Sequence, residues 1–94
     1  MSGKLNGKVA IVTGSASGIG KRVAEMFASH GANVVIADLN QDAAIATAAE
    51  IKKLYKQDTL ALEMDVTNET QVNSGVDATV AKFGKIDILV SNAG

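Results

Sequence analysis

A glycine-rich stretch between an apolar run and a helical pattern constrains the fold of this chain more than any other feature. The apolar run covers residues 9–12, the glycine-rich stretch covers residues 13–20, and the helical pattern covers residues 21–30. A buried strand that turns through glycines into a helix places the free amides of the helix's first turn above the end of the strand. The helix dipole adds about half a positive charge there. The pattern therefore predicts a site for an anionic group such as a phosphate.

The three glycines of this stretch have separate predicted roles. Gly14 allows the sharp turn out of the strand, Gly18 lets the backbone approach a pyrophosphate, and Gly20 lets the helix lie close to the sheet. A P-loop is excluded because Ser15 and Arg22 stand where that motif needs a glycine and a serine or threonine. The spacing also departs from Gly-x-Gly-x-x-Gly, so an ordinary glycine-rich turn stays an alternative at this point.

Composition excludes several classes of function. The 94 residues carry a net charge of −1 with 3% aromatic residues, so we expect no nucleic-acid or membrane-surface partner. The chain has no cysteine and one histidine, which leaves no expected metal site. No apolar run approaches the roughly 20 residues of a membrane span, and the start contains no signal-peptide core. We therefore predict a cytoplasmic protein whose residues 1–94 form one domain.

The apolar segments alternate between strand and helix lengths. The predicted strands are about 8–13, 34–38, 59–64 and 86–90, and the predicted helices are about 18–29, 41–56 and 69–83. Short connections and continuous apolar strands indicate an α/β fold, a Rossmann-type doubly wound parallel sheet in the order 3-2-1-4. Ser17 is a candidate N-cap for the first helix, in which Ile19 is expected to face the core, as is Val80 in the third helix.

Two aspartates that follow predicted strands are candidate ligands for a nucleotide. Asp38 comes 18 residues after Gly20, where a dinucleotide-binding fold needs an acid for the adenosine ribose hydroxyls. A 2′-phosphate about 4 Å away would be repelled by on the order of 4 kcal/mol at a dielectric constant near 20. Because Leu39 follows instead of arginine, NAD is favoured over NADP. Asp65 and Val66 follow strand three, close to the expected adenine. The alternative for Asp38 is a helix cap or a solvated loop residue, and the alternative for Asp65 is a turn or a helix cap.

In combination these features resemble the short-chain dehydrogenase/reductase family. The shared motifs are Thr13-Gly14-x-x-x-Gly18-x-Gly20, Asp38, Asp65-Val66 and the segment from Asp87 to Gly94. The resemblance implies NAD(H) bound by Gly14, Ser17, Gly18, Ile19, Gly20, Asp38, Leu39, Asp65, Val66, Asn92, Ala93 and Gly94. It also implies that Asn92-Ala93-Gly94 supports the sheet near the cofactor's ribose, and that Asp87 steadies the fourth strand. Ser91 departs from the usual motif, which begins with two asparagines.

The resemblance further implies an oxidoreductase that transfers a hydride between nicotinamide and a secondary alcohol or ketone, usually as a homo-oligomer. The family's catalytic Ser, Tyr and Lys would lie beyond Gly94, so no catalytic residue is expected within this chain. We expect an amino-terminal half, truncated and inactive alone. Tyr55 is followed four residues later by Thr59 rather than lysine and is assigned to the core. Residues 35–41 are similar to 3-hydroxybutyrate dehydrogenases.

Two alternatives to an enzyme stay open from the sequence. One is a stand-alone nucleotide-binding module without catalysis. The other is a structural half that dimerises through the apolar fourth strand, whose bare edge would invite pairing with a second strand.

Overall fold

The computed structural model describes residues 3–92, which form one parallel sheet flanked by three helices. The elements in chain order are β1 (Val9–Thr13), α1 (Gly18–Ser29), β2 (Asn33–Asp38), α2 (Gln41–Tyr55), β3 (Thr59–Glu63), α3 (Glu69–Phe83) and β4 (Ile88–Val90). The strand order is β3-β2-β1-β4, and every pairing is parallel. The predicted Rossmann-type topology is therefore confirmed.

The two central strands are buried on both faces because helices cover each side of the sheet. Ala10 and Val12 of β1 pack with Ala24 of α1 and Ala44 of α2 on one face. Ile11 of β1 points to the opposite face, where its cluster is joined by side chains of α3. Small alanines on α1 and α2 let these helices lie close to the sheet. This packing holds the carboxyl end of β1, and with it the glycine-rich turn, at a fixed place.

Two side chains predicted to face the core are exposed. Ile19 is 73% exposed because it lies in the first turn of α1, and the buried position in that turn belongs to Gly20. Val80 is 44% exposed, whereas its neighbour Thr79, also predicted to face inward, is buried and donates its hydroxyl to the Gly75 carbonyl oxygen at 2.8 Å. The helix boundaries at 18–29 and 69–83 are confirmed, and the position of Ile19 beyond the packed face leaves it accessible near the turn.

Asp87 fastens β4 to β1 at the amino end of the sheet. Its Oδ2 accepts the Val9 amide hydrogen at 2.9 Å and lies 3.2 Å from Lys85 Nζ. The Val9 amide, and secondarily Lys85, hold the pKa of the Asp87 carboxyl below its ordinary value of 3.8. The structural role that the resemblance implied for this acid agrees with these contacts.

Within the part of the chain that the structure describes, no helix combines the length and apolar character that crossing a membrane requires.

Candidate functional site

The glycine-rich turn leaves β1 at Thr13 and enters α1 at Gly18. Gly14 and Gly18 both have a φ of +62°, a left-handed conformation that costs other residues roughly 1–2 kcal/mol. A Cβ atom on Gly14 would lie 2.7 Å from the Asn92 carbonyl oxygen, and one on Gly20 would collide with the Gly14 carbonyl oxygen. A Cβ atom on Gly18 would meet no atom within 4 Å. Gly14 and Gly20 are thus required by packing, whereas Gly18 faces open space.

The amino end of α1 differs from those of the other two helices. The Asn40 side chain accepts the Ala43 amide of α2 at 3.0 Å, and the Asn68 side chain accepts the Gln71 amide of α3 at 3.1 Å. Ser17 occupies the predicted N-cap position of α1, but within residues 3–92 its side chain caps no amide of that helix. The first turn of α1 contains no acidic residue either. Its amides and dipole therefore remain available to an external anion.

Asp38 stands at the carboxyl end of β2 with its carboxylate directed at the turn. One oxygen, Oδ2, accepts the Ala16 amide at 3.0 Å, and the other, Oδ1, accepts the Asn40 amide at 3.1 Å. Each carboxylate oxygen can accept a further hydrogen bond. Among residues 3–92 no ion pair involves Asp38. A fixed negative charge with unused acceptor capacity thus lies beside the turn.

Asp65 follows β3, and its carboxylate closes a local turn. Oδ1 accepts both the hydroxyl and the amide of Thr67, at 2.6 and 2.9 Å. These bonds, the hydroxyl's first, hold the pKa of Asp65 below its ordinary value of 3.8, so the group is ionised at neutral pH. The turn role that the sequence left open is therefore realised through one oxygen. The carboxylate's second oxygen keeps its acceptor capacity.

Asn92 joins the end of β4 to the glycine-rich turn. Its amide donates to Thr13 Oγ1 at 2.9 Å, and its side-chain nitrogen makes a long contact of 3.5 Å with the Gly14 carbonyl oxygen. The Thr13 hydroxyl is 3.4 Å from the Val90 carbonyl oxygen. These contacts agree with the sheet-supporting role that the resemblance implied. The other two residues of this predicted motif, Ala93 and Gly94, lie outside the described residues.

The turn and the three strand ends border a cavity of about 550 Å³ at the carboxyl end of the sheet. Its lining residues are Gly14, Ser17, Asp38, Leu39, Met64, Asp65, Val66, Thr67 and Asn92. Seven of the predicted site residues are among them. Gly18, Ile19 and Gly20 lie in the adjoining first turn of α1. The structure thus brings the described candidates together around one cavity.

Sequence reasoning missed two residues of this lining, Met64 and Thr67. Met64 is 5% exposed and comes directly after β3, so its position beside a strand-end acid could have indicated its place. The spacing of Asp65 and Thr67, two residues apart, is a common turn pattern that could have revealed their bond. Leu39 and Val66 are exposed apolar side chains on the same cavity. Apolar side chains of this kind can pack against a planar ring.

The donor and acceptor groups around the cavity fit a dinucleotide. Free helix amides suit a diphosphate, a strand-end carboxylate suits ribose hydroxyls, and the apolar lining suits a base. Among the described residues of the lining, none is lysine or arginine. The fold and this arrangement define a Rossmann-type α/β domain with a cavity at the carboxyl end of its parallel sheet.

The comparison with known proteins places the chain in a family. The sequence model of the short chain dehydrogenase family matches residues 8–94, and the chain belongs to this family. It is 46% identical over 91 residues to the 7alpha-hydroxysteroid dehydrogenase of Escherichia coli strain K12, covering 97% of this chain and 35% of that protein. It is 48% identical over 94 residues to (+)-borneol dehydrogenase 1 of Salvia officinalis, covering 100% of this chain and 35% of that protein.

A solved structure supports the same assignment. The L-sorbose reductase of Gluconobacter frateurii, complexed with NADPH and L-sorbose, matches with a TM-score of 0.94 and 38% sequence identity. The match covers 100% of this chain and 36% of that one. The chain therefore spans about a third of the length of the relatives it matches.

Proposed function

We propose that residues 1–94 form the cofactor-binding portion of an NAD-dependent oxidoreductase that transfers a hydride between nicotinamide and a secondary alcohol or ketone. The observation that carries this proposal is that the uncapped α1 amides and the Asp38 carboxylate lie close together. Both stand beside the same cavity at the carboxyl end of the sheet. In this proposal the family's catalytic Ser, Tyr and Lys lie outside these residues, so the 94-residue chain binds cofactor without turnover.

Different residues of the site bind different parts of the cofactor. The amides of Gly18, Ile19 and Gly20 hold the diphosphate, and Ser17 borders it. The remaining lone pairs of Asp38 accept hydrogen bonds from the adenosine ribose hydroxyls. When bound, the nicotinamide supplies the hydride donor or acceptor.

The other predicted residues contact the adenine or support the sheet near the cofactor's ribose region. Leu39 and Val66 pack on the adenine, and Asp65 or the Val66 backbone accepts its exocyclic amine. The segment Asn92-Ala93-Gly94 supports the sheet where the cofactor's ribose region passes.

Asp38 favours NAD over NADP. A 2′-phosphate about 4 Å from its carboxylate would be repelled by on the order of 4 kcal/mol at an effective dielectric constant near 20. No lysine or arginine among the described lining residues offsets that repulsion. The L-sorbose reductase was solved with NADPH, so family membership alone does not decide the cofactor. The proposal for NAD therefore rests on this one side chain.

The substrate proposed is a small molecule that carries a secondary alcohol or ketone. The names of two relatives, a hydroxysteroid dehydrogenase and a borneol dehydrogenase, point to alcohols as substrates in the family. The similarity of residues 35–41 to 3-hydroxybutyrate dehydrogenases supports 3-hydroxybutyrate as the first compound to assay. The proposal includes a homo-oligomer in the cytoplasm.

Titration calorimetry with NAD⁺ and NADP⁺ tests the proposal on wild type, Asp38→Ala and Asp77→Ala. Asp77 is an exposed aspartate of α3 and serves as the matched control. We expect wild type to prefer NAD⁺, and Asp38→Ala to bind NAD⁺ about tenfold more weakly because it loses charge-assisted hydrogen bonds. The variant should also lose the preference, while Asp77→Ala keeps it. Equal affinity of wild type for the two cofactors would contradict the assignment.

A further inference from the structure

A side chain of α2 reaches the glycine-rich turn. Thr47 is 5% exposed, and its hydroxyl donates to the Ala16 carbonyl oxygen at 3.0 Å across 31 residues of sequence. The Ala16 carbonyl shares its peptide group with the Ser17 amide, at the entry to α1. Thr47 therefore fixes the plane of the peptide between residues 16 and 17, which is next to the peptide that leads into the helix at Gly18.

The preceding peptide of the turn is held by Asp38, the acid that we propose binds the ribose. The Ala16 amide belongs to the peptide group between residues 15 and 16 and donates to Asp38 Oδ2 at 3.0 Å. Ser15 adds two bonds below: its hydroxyl donates to the Val12 carbonyl oxygen at 2.6 Å and accepts the Ala37 amide at 3.2 Å. Consecutive peptides of the turn are thus held by side chains of β2 and α2.

The bond made by Thr47 is not the usual one for a threonine inside a helix. Such a hydroxyl commonly returns to the carbonyl four residues earlier in its own helix. Thr79 of α3 does this, with a bond of 2.8 Å to the Gly75 carbonyl oxygen. Thr47 instead leaves α2 and holds a peptide of the turn. Thr47 and Thr79, both buried within helices, therefore offer a matched pair, one bonded to the turn and one to its own helix.

We infer that Thr47 is a positioning residue for the dinucleotide, since its bond to Ala16 sets the direction of the α1 amides relative to the Asp38 carboxylate. This inference rests on the proposed function. Without the hydroxyl, the Ala16 carbonyl loses its partner in a partly buried place, and the peptide can rotate. The distance between the first amides of α1 and the Asp38 carboxylate would then no longer be fixed.

The test compares Thr47→Val, Thr47→Ser and Thr79→Val in the natural polypeptide that carries this sequence. Valine keeps the branched shape without the donor, and serine restores the donor. We expect Thr47→Val to raise the Kd for NAD⁺ about tenfold, as for one lost hydrogen bond that leaves a carbonyl unsatisfied. The KM for NAD⁺ should rise in parallel while kcat at saturating cofactor is unchanged. Thr47→Ser should recover most of the affinity, and Thr79→Val should keep it.

The outcomes separate this inference from the proposed function. A folded Thr47→Val variant with wild-type affinity for NAD⁺ would overturn the role of Thr47 alone. A wild-type protein that does not bind NAD⁺ would contradict the proposed function and, with it, this inference. Should Thr47→Val not fold, Thr47→Cys takes its place, because its thiol is only a weak donor, and the same outcomes apply. A loss of affinity in Thr79→Val equal to that in Thr47→Val would also overturn the inference.

Discussion

Each end of the sheet contains an aspartate that accepts a backbone amide hydrogen, but the two aspartates differ in their surroundings. At the amino end, Asp87 accepts the Val9 amide at 2.9 Å; at the carboxyl end, Asp38 accepts the Ala16 amide at 3.0 Å. Asp87 is paired with Lys85. Asp38 borders a cavity, and no ion pair within residues 3–92 involves it. The Asp87 carboxylate is therefore ion-paired where it holds strands together, while the Asp38 carboxylate has no ion pair among the described residues and keeps unused acceptor capacity.

The comparison extends to the backbone around each acid. At the amino end, the Asp87 and Asn33 amides donate to the Val9 and Lys8 carbonyl oxygens at 2.9 Å each. At the carboxyl end, α1 begins with amides that its own N-cap side chain leaves free. The contacts at the amino end thus hold strands together, and the carboxyl end is where we propose that the cofactor binds. The predictions below test that division, from the largest effect to the smallest.

Gly20→Ala should produce the largest effect, at the carboxyl end. Its Cβ would collide with the Gly14 carbonyl oxygen, which is backbone and cannot move as a flexible side chain can. We expect the free energy of unfolding to fall by about 2 kcal/mol, as for overpacking in a tight interior. Affinity for NAD⁺ should fall more than about tenfold because the turn is displaced. Chemical denaturation and calorimetry measure the two quantities.

Gly18→Ala is the matched comparison for that variant. Its Cβ would meet nothing within 4 Å, so the cost to stability is the left-handed backbone alone, about 1 kcal/mol. Affinity for NAD⁺ should nevertheless fall, since the added methyl group stands where the diphosphate approaches. Unchanged NAD⁺ affinity in folded Gly18→Ala would argue against the binding role of this turn.

Asp87→Asn should affect stability at the amino end and leave NAD⁺ affinity unchanged. The pKa of Asp87 in the folded protein lies below its ordinary value of 3.8. Its stabilising contribution is therefore complete above that value and is lost as the pH falls through the folded pKa. The melting temperatures of wild type and Asp87→Asn should differ most near neutral pH and converge in strong acid, where the wild-type group is protonated. A pH-independent difference would contradict this account, and Asp77→Asn serves as the control.

Much of the fold could be predicted because local patterns determine it. Continuous apolar runs gave the buried strands, and Gly31 and Gly84, with φ of +100° and +85°, follow helices that end as predicted. The sequence was a poorer guide to which helix side chains are buried. Ile19 and Val80 fit a helical period, yet the period alone does not say how far the neighbouring strands extend beneath each helix.

The candidate site could be predicted where strand ends converge, but not in its internal contacts. Asp38 and Asp65 follow apolar strands, and parallel topology brings such residues to one edge. The bond from Thr47 to Ala16 spans 31 residues and has no local pattern, so only the folded structure reveals it. Ser17 likewise stands at the N-cap position of α1 without a side-chain cap hydrogen bond, which its identity alone does not reveal. The contacts of the site with a ligand stay predictions.

A crystal structure of the natural polypeptide with NAD⁺ tests the central claim most directly. The account predicts the diphosphate within hydrogen-bonding distance of the first amides of α1, and the Asp38 carboxylate on the adenosine ribose hydroxyls. A diphosphate bound away from residues 14–20, or a ribose that does not touch Asp38, would contradict it.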